Sequence, residues 1–198
     1  MTTVGLLRHF ETDWNALGRL QGRTDRPLTE AARAQADALG FPESWRAARL
    51  VSSPLSRAVE TAERLSGRAP EIAPELIELS WGEWEGRTGA ELLADPASGY
   101  AHVENWGWGK RPPGGESPAD AWARIAPRLA ALAAEGRPAL LVIHRGLMRV
   151  ILAKAWRWDF DRKEPFRIKR ERVYPVELSP AGAPLRPLPE ERLVPKCG

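Results

Sequence analysis

Cysteine is almost missing from this 198-residue chain: Cys197 stands alone, next to the last residue. A single cysteine excludes an internal disulfide framework and suits a reducing, cytoplasmic setting. Histidine is scarce as well, with three in the chain, and no compact His/Asp/Glu set is spaced to ligate a metal. No apolar stretch is long enough to span a bilayer. The N-terminus lacks a basic segment followed by an apolar core, so no secretory signal is read. No run of Lys and Arg stands out. That argues against a nucleic-acid module despite a pI near 9.3. Internal repeats and domain linkers are absent too.

What is there points to a globular chain. Hydrophobic residues make up 43% of it, and Lys plus Arg number 29 against 26 for Asp plus Glu, a net charge of +3. The length suits one domain, residues 1–198, with its own core. The mild positive charge favours anionic partners, a small anionic substrate among them.

Apolar runs predict strands over Thr3 to Leu7, Ala48 to Ser52 and Pro138 to Ile143, with weaker extended segments near Ile72 and Ile77 and late strands near Ile168 and Val176. Helices are expected between them. One is capped by Thr29 and stopped at Gly40. One starts at Ser53-Pro54, with the serine as its cap. One starts at Ser117-Pro118 and runs to about Ala134, and one spans Leu147 to about Trp156, after Gly146. Residues 81–115 form an irregular insert holding Trp81, Trp84, Trp106 and Trp108, either a lid or a small satellite core. The proline-rich tail, about 180–198, reads as extended over the surface. Alternating strands and helices imply an α/β fold: a three-layer sandwich with a mostly parallel sheet and helices on both faces.

In such a sheet, ligands bind at the carboxyl ends of the strands. The first strand ends at Arg8-His9. The second delivers Arg57 into the first turn of a helix. The third ends at His144-Arg145. If the strands are parallel, two of the three histidines meet there with two or three arginines. Each histidine alone reads more simply as a satisfied strand-end residue. Arg57 is harder to dismiss, because a cation in a first helical turn opposes the helix dipole. Together these groups make a phosphate site.

"LLRHFETDWN" resembles the L-x-R-H-G-E-x-x-x-N signature of the histidine phosphatase superfamily, in its phosphoglycerate-mutase-like branch. "GRLQGRTDRPLTEAARAQA", "VSSPLSRAVETA", "ELSWGEWEG", "PPGGES" and "VIHRGLMR" are similar to the family's later motifs, in order, from Val4 to about Leu178. The resemblance implies a phosphoglycerate-mutase-like fold. It implies that His9 is the nucleophile that becomes phosphohistidine. Arg8, Arg57 and His144 would bind the phosphoryl oxygens, joined by Asn15, with Gln21, Gly22 and Arg145 as further candidates. Glu78 falls at the proton-donor position, with Glu83 and Glu85 as rivals. Neither metal nor cofactor is expected, since arginines supply the charge a metal would.

Two positions depart from the pattern: Phe10 and Arg145 stand where the family usually has glycine. Phe10 either points into the core or closes a pocket wall. Arg145 either adds a cation for a second acidic group or is a solvated side chain at the rim.

The leading expectation is a cytoplasmic phosphomonoesterase acting on a small phosphorylated metabolite, similar to the alpha-ribazole-phosphatase and broad-specificity-phosphatase subgroups. It would have no nucleic-acid or membrane partner, and a homodimer is left open. One alternative is a cofactor-dependent phosphoglycerate mutase, with Lys110 and Arg111 holding a second anion. Leu79 counts against it, because mutases carry Arg after the proton-donor Glu. The other alternative is a non-catalytic relative that binds a phosphorylated ligand or a protein.

Overall fold

Side chains alternate across a strand, and here the alternation sorts one sheet's residues into two cores. The computed structural model describes residues 1–196, so the reading of Cys197 lies outside the described residues. The elements are β1 (Thr2–Arg8), α1 (Asp13–Ala16), α2 (Glu30–Ala38), β2 (Leu39–Gly40), α3 (Glu43–Arg46), β3 (Arg49–Ser52), α4 (Ser56–Ser66) and β4 (Glu71–Ile72). After them come α5 (Gly89–Leu93), α6 (Pro118–Glu135), β5 (Ala139–Ile143), α7 (Arg145–Trp156), β6 (Arg172–Leu178), β7 (Pro184–Pro187), β8 (Glu191–Arg192) and β9 (Val194–Pro195).

The main sheet has the order β4-β3-β5-β1-β6-β7, with β8 also paired to β6, and β2 pairs with β9 apart from it. β1, β3, β4 and β5 are mutually parallel, and only β6 runs against them. β7 and β8 are antiparallel to β6 and so point back along β1. The sheet is therefore mostly parallel. Val4 and Leu6 of β1 and Leu141 and Ile143 of β5 pack with α6 and α7. Leu7 of β1 and Leu140 and Val142 of β5 pack with α2 and α4 on the other face. Helices thus cover both sides.

The strand ends converge as a parallel sheet requires. Arg8 is in register with Ile143, and Ser52 with Val142. The next residues extend the ladders: His9 N–H donates to the Ile143 carbonyl at 3.0 Å, and Ser53 N–H to that of Val142 at 3.1 Å. His9, Ser53 and His144 leave the sheet side by side.

Several boundaries differ from the sequence reading. α4 starts at Ser56, not at Ser53-Pro54. Its first turn is capped from another loop, where the Asp25 carboxylate accepts from Ser56 N–H at 2.9 Å and from the Ser56 hydroxyl at 2.9 Å. Gly40 does not stop α2: the helix ends at Ala38 and the chain goes straight into β2. α7 begins at Arg145, and Gly146 lies within its first turn.

Ile168 is buried but belongs to no strand. The Tyr174 hydroxyl accepts from Lys169 N–H at 2.7 Å and donates to the Arg167 carbonyl at 2.9 Å. A side chain thus satisfies backbone that a neighbouring strand would otherwise pair. Ile77 is extended but follows a 3-10 turn and is unpaired as a strand.

In the irregular segment, Trp81 and Trp84 are buried within the α6/α7 core, and Trp106 and Trp108 pack against it. From Pro184 to Pro195 the chain forms β7, β8 and β9, which pair with other strands. Among the described residues, no helix is long and apolar enough to cross a membrane.

Candidate active site

His9 is buried at the end of β1. Its Nδ1 lies 2.6 Å from the carbonyl oxygen of Phe10. A carbonyl only accepts, so Nδ1 carries the hydrogen and Nε2 keeps its lone pair. Burial first, then His144, Arg57 and Arg8, push the imidazole pKa well below the ordinary 6.5. His9 is therefore neutral and oriented, with a free nitrogen. Its ring lies 5.1 Å from that of His144, at 57°.

His144 is fully buried and follows β5. Its Nδ1 accepts from Arg57 Nε at 3.3 Å, and its Nε2 lies 2.6 Å from the Ser53 hydroxyl. Nδ1 as acceptor leaves the hydrogen on Nε2, which donates to Ser53. Burial, Arg57 and Arg8 lower its pKa well below 6.5 as well. Ser53, read from sequence as a helix cap, is instead the partner of this histidine.

Arg57 lies fully buried in the first turn of α4. Its Nη groups donate to the carbonyls of Gly22, at 2.6 Å, and Thr24, at 3.0 Å. This pins the loop after α1 against the two histidines. Burial lowers its pKa, while Glu78 and Asp25 oppose that shift.

Arg8 has a buried Nε with no hydrogen-bond partner. Its pKa falls to about 9, through burial and then the nearby Arg170 and Arg145. Gln21 has a buried, unpartnered Nε2, while its Oε1 accepts from the Thr12 hydroxyl at 2.6 Å and from Asn15 Nδ2 at 3.2 Å. Asn15 Oδ1 accepts from Arg170 at 2.8 Å. Arg170, from the loop before β6, also leaves its own Nε unpartnered. Buried donors are normally satisfied. Three orphaned ones grouped around a positive pocket suit an anion with several acceptor oxygens.

Glu78 is buried and reaches the N-terminus of α7. One oxygen accepts from Leu79 N–H and Leu147 N–H, each at 2.9 Å, and the other from Gly146 N–H at 2.9 Å. Those donors favour the charged form, yet burial outweighs them and the pKa is raised above 4.5. Gly146 makes the approach possible: a Cβ there would lie 2.7 Å from a Glu78 oxygen.

The rival carboxylates are placed elsewhere. Glu85 accepts from Arg23 N–H at 2.8 Å and from the Thr24 hydroxyl at 2.6 Å, so it anchors the same loop. Glu83 is exposed.

Phe10 is fully buried in the α2/α4 core, and its N–H donates to the Thr61 hydroxyl at 3.0 Å. It does not line the pocket. Arg145 is exposed at the start of α7. Arg111 pairs with Asp120 at 2.8 Å.

The structure thus brings Arg8, His9, Asn15, Gln21, Gly22, Arg57, Glu78 and His144 together. Sequence reasoning missed Ser53, whose hydroxyl was given another task, and Arg170, which no motif marks.

The model of the histidine phosphatase superfamily (branch 1) matches residues 4–187. The chain belongs to this superfamily. It is 37% identical over 163 residues to a glucosyl-3-phosphoglycerate phosphatase of Mycobacterium tuberculosis, covering 75% of this chain and 72% of the relative. It is 34% identical over 150 residues to a probable phosphoglycerate mutase, GpmB, of Salmonella paratyphi C, covering 73% and 70%. Among solved structures, TTHB049 from Thermus thermophilus superposes with a TM-score of 0.74 at 35% identity, covering 95% of this chain and 98% of that one. The chain thus falls in the phosphoglycerate-mutase-like branch, beside relatives named as phosphatases and as a probable mutase.

Proposed function

We propose that this chain is a phosphomonoesterase that hydrolyses a small phosphorylated metabolite through a phosphohistidine on His9. The observation that carries the reading is the state of His9: neutral, with Nδ1 tied to a backbone carbonyl and Nε2 free beside Arg8 and His144.

In the first step the Nε2 lone pair attacks phosphorus and the ester P–O bond breaks. Glu78 hands its proton to the departing alkoxide. A buried carboxyl with a raised pKa is suited to hold that proton. Arg8 stabilises the charge on the equatorial oxygens. Gln21 Nε2 is a further unpartnered donor, and His144 Nε2–H can pass from Ser53 to a phosphoryl oxygen. Arg57 acts at the same point, holding His144 and the Gly22 carbonyl in place. In the second step the Glu78 carboxylate takes a proton from water, the oxygen attacks phosphorus, and the bond to His9 breaks.

The mutase reading is disfavoured by Leu79, a buried residue where mutases carry Arg, and by Arg111, engaged with Asp120. The non-catalytic reading loses one of its two supports because Phe10 sits in the core. The single cysteine favours a cytoplasmic location. Neither the charge pattern nor a basic run calls for nucleic acid, and a homodimer is compatible with the reading.

The test is a panel of phosphorylated metabolites, sugar phosphates and phosphoglycerates included, assayed for released phosphate. Hydrolysis of at least one, with phosphate and alcohol in equal amounts, is expected. Isomerisation without release would favour the mutase, and no turnover on any member would favour a binding protein.

A further inference from the structure

Arg145 departs from its family's pattern and has an unusual setting. It is the first residue of α7, where a cation opposes the helix dipole. Among the described residues no carboxylate lies within ion-pair distance of it, whereas Arg149, one turn further on, is paired with Glu164 at 2.7 Å. Residues four apart on a helix share a face, and Arg145 and Arg149 line one open cleft of about 840 Å³. Lys163, Arg167, Glu104 and Glu164 also line it. Four cations therefore face two carboxylates, one of which Arg149 already holds.

Arg145 links this cleft to the phosphate pocket along the chain. Arg145 directly follows His144, and its charge is among those that depress Arg8. The charges of Arg149 and Arg170 in turn bear on Arg145, with Glu164 and Glu78 opposing them. A row of like charges without enough counter-ions is unfavourable unless an anion joins it.

We propose that this cleft is a second anion subsite, and that the substrate is a phosphomonoester carrying a second anionic group, carboxylate or phosphate, which Arg145 receives with Arg149 and Lys163 behind it. The proposal rests on the phosphomonoesterase reading of the neighbouring pocket. Arg145 is then the residue that determines specificity, and the phosphate common to all substrates stays with Arg8 and His9.

The experiment uses His9→Ala protein, which keeps the arginines but cannot turn over. Calorimetry compares three probes: 3-phosphoglycerate, which carries a carboxylate; 1,3-propanediol bisphosphate, which carries a second phosphate; and glycerol 3-phosphate, which carries neither. One or both of the first two should bind about ten- to a hundred-fold more tightly than the third. Which of them does so identifies the second group.

Adding Arg145→Gln should remove most of that preference, and Arg145→Lys should restore part of it. Matching thermal unfolding of the variants would show that the fold is kept. No preference in the His9→Ala protein, or the same preference after Arg145→Gln, would overturn the subsite. So would equal weakening of all three probes, which would put Arg145 in the phosphate pocket. If wild-type protein released no phosphate from any member of the wider panel of phosphorylated metabolites, the hydrolase reading would fail separately, and the binding comparison would still decide the subsite.

Discussion

Glu78 carries two opposed demands: three backbone N–H groups favour its charge, and burial opposes it. As a general acid it should matter in proportion to the basicity of the leaving group. An alkoxide leaves badly without a proton, and a nitrophenolate leaves unaided. Acid catalysis is worth about 10²–10⁴-fold where it is needed. Glu78→Gln should therefore lose activity on that scale with alkyl phosphates. It should lose far less in the phosphohistidine burst from p-nitrophenyl phosphate. Glu83→Gln and Glu85→Gln should show no such dependence on the leaving group. Equal slowing of both bursts by Glu78→Gln would make the residue structural.

Most of this residue-level picture was legible, because Arg8, His9 and His144 stand in motifs at strand ends and Glu78 in a motif of its own. Ser53 was not. A serine before proline reads as a cap by local rules, and only the fold reveals that its hydroxyl faces His144.

At the scale of elements, α7 is the part that positions the acid. Its first turn offers N–H donors to Glu78, and Gly146 leaves room for the carboxylate. Gly146→Ala should force the carboxylate away from the helix end while leaving the helix itself intact, since alanine is the better helix former by about 1 kcal/mol. A drop in kcat of tenfold or more on alkyl phosphates, with a smaller effect on p-nitrophenyl phosphate, is expected from steady-state kinetics. Unchanged kinetics would mean that Glu78 does not act from this position.

Element boundaries were less legible than element existence. The start of α4 moved two residues, from Pro54 to Ser56, because its cap comes from Asp25, far back in the chain. The strand expected near Ile168 is absent because the Tyr174 hydroxyl satisfies that backbone. Both signals are tertiary, and no local pattern carries them.

For the whole molecule, burying two neutral imidazoles links stability to pH. In the folded chain His9 and His144 titrate well below 6.5, while unfolding returns them to about that value. Below about pH 6.5 the unfolded state thus binds more protons, and stability falls as the pH drops. Glu78 acts with the opposite sign. Its raised pKa adds stability below its ordinary 4.5, and this is lost as pH rises through the folded value. One carboxyl opposes two histidines, so Tm should fall steadily from pH 6.5 to pH 5. A flat or rising Tm across that window would contradict the neutral, buried histidines.

The alternation of the sheet was legible from the apolar runs, as was the meeting of strand ends. The cationic cleft was not, because Lys163 and Arg167 come from a loop that no motif joins to the site.

The central claim is the covalent step on His9. The most direct measurement is rapid quench into alkali during turnover of p-nitrophenyl phosphate, followed by peptide mass spectrometry, since acid would destroy a phosphohistidine. The account predicts one added phosphoryl group on His9, none on His144 or His102, and none in the His9→Ala protein. Hydrolysis that continues undiminished in His9→Ala, or a phosphoryl group on another residue, would contradict it.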